Sequence, residues 1–232
     1  MKILGWNCRG ICDSSTVRAL RALVKAQSPQ IVFLSETKAK DCRMKKIASS
    51  LGFSEHLPVV AHGKSGGICL FWSSCIHVEV LEFNSVTIAI SILDNICNWT
   101  LVGFIWPNLY GLLQSVEGPW LCFGDFHTVV EDNEKLGGRP GSSSASNYLH
   151  NLISDLDAVD LGFSGVKFTW CNKRWGKGCI KERLDRGIAN SSWTTSYPRA
   201  SVKHLGAVNS DHCPLLIDTH PSDVNAPRPF RF

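Results

Sequence analysis

Residues 2–38 read KILGWNCRGICDSSTVRALRALVKAQSPQIVFLSETK, and this stretch decides the fold. Residues 2–6 alternate and run into a polar loop at Asn7, the pattern of a buried strand. Ser14, Ser15 and Thr16 then offer side-chain oxygens to cap a helix. Val17, Leu20, Leu23 and Val24 recur at helical spacing, with Arg18, Arg21 and Lys25 on the other face. Pro29 stops the helix, and Gln30-Ile31-Val32-Phe33-Leu34 follows as an apolar strand covered on both faces. The result is a βαβ unit. Asn7 leaves the first strand and Ser35-Glu36-Thr37-Lys38 the second, so polar groups gather where the strands end.

Outward from this unit the alternation of elements continues. A second helix over residues 41–51 buries Met44, Ile47, Ala48 and Leu51 and ends at Gly52. Residues 67–72, 76–83, 86–93 and 99–105 are rich in β-branched and aromatic residues between short polar breaks, the pattern of a meander. Trp120-Leu121-Cys122-Phe123 is a further strand, ending at Gly124-Asp125-Phe126-His127. Residues 137–146 read as a flexible loop and 147–156 as a helix. Short strands follow near 166–171, 180–184, 200–205 and 213–218. Helices flanking many strands imply one α/β domain over residues 1–220 with two packed sheets. Pro221, Pro227 and Pro229 mark residues 221–232 as a linker-like tail.

Composition narrows the classes. Charged residues are 19% and hydrophobic ones 44% of 232, which excludes a disordered or collagen-like chain. Apolar runs fall short of the ~18 residues that cross a bilayer, so no membrane partner is expected. The amino end lacks the apolar length of a secretory signal, and Arg9 follows at once, which implies an intracellular, unsecreted protein. Ten cysteines without a Cys-x-x-Cys spacing fit small buried hydrophobes in a reducing compartment better than a zinc ribbon. The net charge of +4 permits a polyanionic partner without demanding one.

Four strand ends carry ionisable or amide side chains: Asn7, Glu36, Asp125 with His127, and Asp211-His212. Oxygen ligands of this kind suit a hard divalent cation such as Mg²⁺ or Mn²⁺. A nearby histidine oriented by a carboxylate, for which Asp185 is the candidate, would serve acid–base chemistry on water.

Trp6-Asn7-Cys8-Arg9-Gly10, Leu34-Ser35-Glu36-Thr37-Lys38, Gly124-Asp125-Phe126, Arg183-Leu184-Asp185-Arg186 and Ser210-Asp211-His212-Cys213-Pro214-Leu215 occur in that order. As an ordered set, this resembles the endonuclease/exonuclease/phosphatase superfamily. Within it, the chain looks most like the apurinic-type endonuclease domain of non-LTR (LINE-type) retrotransposons. Ser65-Gly66-Gly67, Glu134 to Pro140, Asp160 to Gly165 and Lys167-Phe168-Thr169-Trp170 extend the likeness. The resemblance implies a four-layer α/β/β/α sandwich of two mixed sheets with the site at one edge. It places Glu36, Asn7 and Asp211 at the metal, and Asp125 and His212, the latter oriented by Asp185, at the scissile phosphate. Arg9, Lys38, Trp170 and Asn172 match positions along the path of the DNA backbone. The implied partner is DNA, with no stable protein partner, in the nucleus where the chain acts on DNA.

Three features depart from the family pattern. His127 stands where Gly-Asp-Phe-Asn has its last Asn, and so replaces a phosphate-holding amide at the catalytic centre. Ile105 stands where relatives carry a tyrosine that contacts the phosphate. Only residues 108–118 separate Pro107 from Pro119, a shortened crossover whose loss of helix is expected to expose apolar surface. The implied activity is a metal-dependent phosphodiesterase that nicks DNA and leaves a 3′ hydroxyl. The departures imply the alternative, an impaired or inactive retroelement-derived domain that at most binds nucleic acid. A phosphatase acting on phosphoinositides or other small phosphoesters is a third reading on the same fold. The tail, Arg228-Pro229-Phe230-Arg231-Phe232, resembles the stretch before a reverse transcriptase, so any reaction of the chain alone would stop at strand cleavage.

Overall fold

The structure, a computed structural model, describes residues 1–60, 66–105, 109–139 and 143–221. Strand β1 (Lys2–Asn7), helix α1 (Ser14–Gln27) and β2 (Ile31–Ser35) form the βαβ unit. The cap of α1 is Asp13 and not the hydroxyls after it: its carboxylate accepts from the Ser15 N–H at 2.9 Å. Helix α2 (Asp41–Leu51) ends at Gly52, whose φ of 86° lies where a Cβ is strained. Then come β3 (Glu55–Val59), β4 (Ile68–Trp72), β5 (His77–Phe83), β6 (Thr87–Leu93) and β7 (Asn98–Phe104). Helix α3 (Tyr110–Ser115) leads to β8 (Trp120–Asp125), β9 (Lys135–Leu136) and helix α4 (Ser143–Asp155). The last third holds β10 (Ala158–Asp160), β11 (Ser164–Gly165), β12 (Trp170–Cys171), β13 (Lys181–Glu182) and β14 (Asp185–Asn190). Helix α5 (Ser191–Ser196), β15 (Ser201–His204) and β16 (Leu215–Asp218) complete it.

These strands build two large sheets, ordered β11-β15-β16-β1-β2-β4-β3 and β10-β14-β8-β7-β6-β5, and a small third one, β12-β13-β9. Both large sheets are mixed, β1 running parallel to β2 and β7 parallel to β8. The expected four-strand meander is a correction: β4 pairs with β2 and β3 in the first sheet, and only β5, β6 and β7 meander in the second. The expected loop over residues 137–146 is likewise shorter, because α4 begins at Ser143. Ser65, residues 106–108, Pro140 and the tail from residue 222 lie outside the described residues.

Alternation along the strands sorts side chains into layers. Ile3, Phe33, Leu70, Ile88, Ile90, Leu101 and Phe123 meet between the two sheets. Leu4, Trp6, Val32 and Leu34 face outward onto Leu20 of α1 and Met44 and Ile47 of α2. On the opposite outer face Val102, Phe104, Trp120 and Cys122 lie under Leu109 and Leu113 of the α3 segment and Leu149 and Leu152 of α4. That is the four-layer α/β/β/α sandwich. The shortened crossover does not strip this face as expected, since α3, though only six residues long, still covers it together with α4.

Two glycines let the sheets approach. A Cβ on Gly5 would lie 2.5 Å from the Phe123 ring, and one on Gly103 would lie 2.6 Å from Phe33. The space they leave admits Phe33 and Phe123 edge to face, with centroids 5.5 Å apart.

Candidate active site

Strand register forms two halves of the site, one in each sheet, and the packing of the sheets brings the halves together. Asn7 is paired with Ser35 across the parallel β1–β2 ladder, so Asn7 and Glu36 emerge side by side. In the second sheet Asp185 is paired with Asp125 across the antiparallel β8–β14 ladder. The Gly-Asp turn needs its glycine, because a Cβ at position 124 would sit 2.3 Å from the Phe104 carbonyl oxygen. His212 is delivered by the segment before β16, which bridges Trp170 at β12.

Polar side chains fix these segments to one another. The Ser210 hydroxyl donates to the Asn7 carbonyl at 2.7 Å and accepts from the His212 N–H at 3.1 Å. Thr169, fully buried, accepts at Oγ1 from the N–H groups of Leu184 and Asp185, at 2.9 and 3.0 Å. Beside them lies a buried clamp in which Arg183 and Arg186 share Glu134 and Asp160. The clamp brackets Leu184-Asp185 and so anchors the start of β14.

Asp185, His212 and Asp125 form a ladder at the floor of the site. His212 Nδ1 lies 2.9 Å from Asp185 Oδ2, and its Nε2 lies 3.5 Å from Asp125 Oδ2. All three are buried, at 4%, 2% and 1% exposure, and their ligand atoms fall within 4.8 Å of one another. Burial opposes a charge on His212, but the Asp185 carboxylate beside it prevails, with help from Asp125 and Asp211, and lifts its pKa to about 9. Burial, reinforced by the charge of Asp185, pushes the Asp125 carboxyl above the ordinary range. The ladder therefore holds an imidazolium between two carboxylates, one of which has a heightened affinity for protons.

Asn7 connects the ladder to a second acidic group. Its Nδ2 lies 3.4 Å from both Asp125 Oδ2 and Glu36 Oε1. Its Oδ1 is buried and has no hydrogen-bond partner among the described residues. Glu36 and Asp211 are joined by Arg9, whose guanidinium lies 3.3 Å from Glu36 and 2.8 Å from Asp211. Burial raises the Asp211 carboxyl, but the Arg9 hydrogen bond and charge overcome it and hold the group far below the usual carboxylate range. Trp170 Nε1 also donates to Asp211 Oδ2, at 3.1 Å. Lys38 Nζ lies 3.6 Å from Glu36.

An oxygen-donor set of Glu36, Asp211 and the unpartnered Asn7 Oδ1 fits a hard divalent cation. The rim is conformationally unusual. Of eight non-glycine residues with positive φ among the described residues, Arg9, Glu36, Lys38, His127 and Asn209 belong to site segments.

His127 sits beside Asp125, and Asn172 lies in an adjoining turn. His127 Nε2 lies 3.1 Å from the Ile105 carbonyl and 3.5 Å from Asp125 Oδ2, so its ring spans the rim. The Asn172 amide donates to the Gly178 carbonyl and accepts from Arg174 and Ile180 N–H, closing a turn between β12 and β13. That turn presents Trp175, 95% exposed, among exposed Lys173, Arg174 and Lys177. Sequence reading did not single out Trp175; Thr169 and the clamp residues lie in segments quoted for the likeness, without a role assigned to them. For Trp175 the signal was there, three cations in five residues around an aromatic.

No family model matches the chain. In structure it is similar to the endonuclease domain of TRAS1, a telomere-specific non-LTR retrotransposon, with TM-score 0.66 over 96% of this chain and 99% of that one at 13% identity. It is similar also to the AP endonuclease LMAP from Leishmania major, with TM-score 0.71 over 93% and 86% at 14% identity. In sequence it is 20% identical over 239 residues to the probable RNA-directed DNA polymerase from transposon X-element of Drosophila melanogaster. That match covers 98% of this chain and 25% of the relative, so the chain spans a quarter of the length of the curated protein it matches. The fold is therefore the DNase I-like one, two mixed β-sheets with outer helices, and the retrotransposon likeness read from the motifs recurs in both comparisons. Among the described residues no helix is long and apolar enough to cross a membrane.

Proposed function

We propose that the chain is a divalent-metal-dependent endonuclease that hydrolyses a phosphodiester of DNA. The observation that carries this reading is the convergence of the Asp185–His212–Asp125 ladder with Glu36, Asp211 and Asn7 through hydrogen bonds of Asn7 and Arg9. Glu36, Asp211 and Asn7 Oδ1 would hold the cation, which when bound offsets phosphate charge and favours departure of the 3′ oxygen.

The remaining chemistry belongs to side chains. Asp125, desolvated and proton-hungry, accepts the proton of the attacking water. His212, kept cationic by Asp185, presents Nε2–H to a non-bridging phosphoryl oxygen and stabilises the charge that builds there. The water oxygen bonds to phosphorus, the bond to the 3′ oxygen breaks with its electron pair on that oxygen, and a proton from solvent completes the 3′ hydroxyl while the phosphate stays on the 5′ side. Arg9 and Lys38 border the site with exposed cationic groups, and the Trp175 hairpin offers a stacking surface among three more. Phosphate charge makes such a surface effective in binding DNA.

Supercoiled plasmid incubated with the chain and Mg²⁺ is expected to become open circle, and Glu36→Ala and His212→Ala are expected to abolish the conversion. Equal nicking by all three proteins contradicts the proposal. A second reading, an impaired domain, is favoured by the His127 ring bonding to the Ile105 carbonyl, where no tyrosine hydroxyl is available. It predicts a silent wild type and nicking by the Ile105→Tyr, His127→Asn double variant.

A further inference from the structure

We infer that Arg9 is an internal cation competing with the divalent ion for Glu36 and Asp211, so that this one side chain sets the affinity of the site for metal. The inference rests on the proposed metal site and deepens it. Arg9 Nε donates to both Asp211 oxygens, at 2.9 and 3.2 Å, and Nη2 donates to Oδ2 at 2.8 Å. Nη1 reaches both Glu36 oxygens at 3.3 Å. One planar guanidinium thus spans the oxygens of the two carboxylates that would ligate a cation. The backbone is built for this reach, with φ 52° at Arg9 and 121° at Gly10 turning the chain back toward the site.

A divalent ion and this guanidinium bind the same oxygens. Metal entry therefore requires Arg9 to leave, and the side chain, 43% exposed while still paired, has open solvent to move into. Lys38, 3.6 Å from Glu36, adds a second positive charge against the incoming ion. Asn7 Oδ1 faces no such competitor, because it has no partner among the described residues. The resting chain is consequently charge-balanced at its acidic pair without metal, and a phosphate that draws Arg9 away frees both carboxylates for the ion.

The test is a titration of the DNA-free chain with Mn²⁺, followed by water-proton relaxation, for wild type, Arg9→Gln, Arg9→Lys and Glu36→Gln. Arg9→Gln is expected to bind about tenfold more tightly than wild type, a change on the scale of one well-formed Arg–carboxylate pair. Arg9→Lys, which keeps a charge without the fork, is expected to fall between them, and Glu36→Gln to lose the site. Binding by Arg9→Gln equal to or weaker than wild type, with both sensitive to Glu36→Gln, overturns the inference while leaving the nuclease reading intact. Should Arg9→Gln not fold, Arg9→Lys binding no more tightly than wild type has the same force. Absence of Mn²⁺ binding in every protein overturns the metal site and the inference with it.

Discussion

Glu134→Gln is expected to destabilise the domain by about 3–5 kcal/mol, the cost of breaking a buried ion pair by removing one partner. Glu134, Arg183 and Arg186 are 9%, 6% and 1% exposed at their side chains, and Asp160 is 23% exposed. The four charges cancel. Glu134 accepts from Arg183 Nη1 and Arg186 Nη1, each at 2.8 Å, from Arg186 Nη2, and from the Val130 N–H at 2.7 Å. Glutamine keeps the volume but removes the charge, which leaves two arginines facing one carboxylate at the wall of a cavity of about 350 Å³. Its amide N–H₂ would also meet guanidinium donors. Since whole domains are stable by only ~5–15 kcal/mol, the loss is a large fraction of the total. Urea unfolding should show the midpoint falling with an unchanged slope. A loss below about 1 kcal/mol would refute the view that this clamp stabilises the start of β14.

Two further perturbations follow from exposure and burial. Trp175→Ala, in a Glu36→Ala background that cannot cut, should weaken binding of a fluorescent single-stranded DNA by about 5- to 100-fold, one base–aromatic stack. The melting temperature should stay constant, because a side chain 95% exposed supports nothing in the fold, and unchanged DNA affinity removes the hairpin from the binding surface. His204 is buried against Phe163, and burial lowers its pKa to about 4. Its stabilisation is therefore present above pH 6.5 and is lost as pH falls toward 4, with the unfolded chain taking up the proton first. His212 acts in the opposite sense: stabilisation is full below pH 6.5 and lost as pH rises through about 9. The comparison that isolates His204 is wild type against His204→Gln, and from pH 7 to 5.5 wild type should lose about 1 kcal/mol more in urea unfolding. Parallel pH profiles would contradict that assignment.

The parts of the fold that were legible in the sequence are those whose signal is local. The βαβ unit, α2 and the strands β5 to β8 show periodicity within a dozen residues, and their bounds agree with the pattern to within a residue or two. Strand β3 escaped because Pro58 interrupts it, which an edge strand tolerates since its outer N–H groups need no ladder partner. The strand expected near 180–184 corresponds to β13, and β14 (Asp185–Asn190) was not expected, because Asp185-Arg186-Gly187 reads as polar. The charge of Arg186 is neutralised by Glu134, 52 residues away, and by Asp160, 26 residues away, and no local window contains those partners.

The site divides in the same way. Asn7, Glu36 and Asp125 announced themselves as polar groups leaving apolar strands; the register of β1 with β2 sets Asn7 beside Glu36, that of β8 with β14 sets Asp125 beside Asp185, and sheet packing joins the two pairs. The position of Arg9 between Glu36 and Asp211 depends on a left-handed residue and on a partner 202 residues distant, neither of which a spacing rule detects. The engagement of Asn172 in its own turn was hidden for a similar reason, since its partners are the backbone of Arg174, Gly178 and Ile180.

The central claim is that these side chains cut a DNA strand with Mg²⁺ and leave a 3′ hydroxyl, and the nick itself tests it most directly. Plasmid treated with the chain in Mg²⁺ is passed to a DNA polymerase with labelled nucleotides, beside samples treated in chelator or with Glu36→Ala. The account predicts label incorporated at the nick in the first sample and none in the other two. Intact plasmid, ends that the polymerase cannot extend, or equal labelling with Glu36→Ala would contradict it.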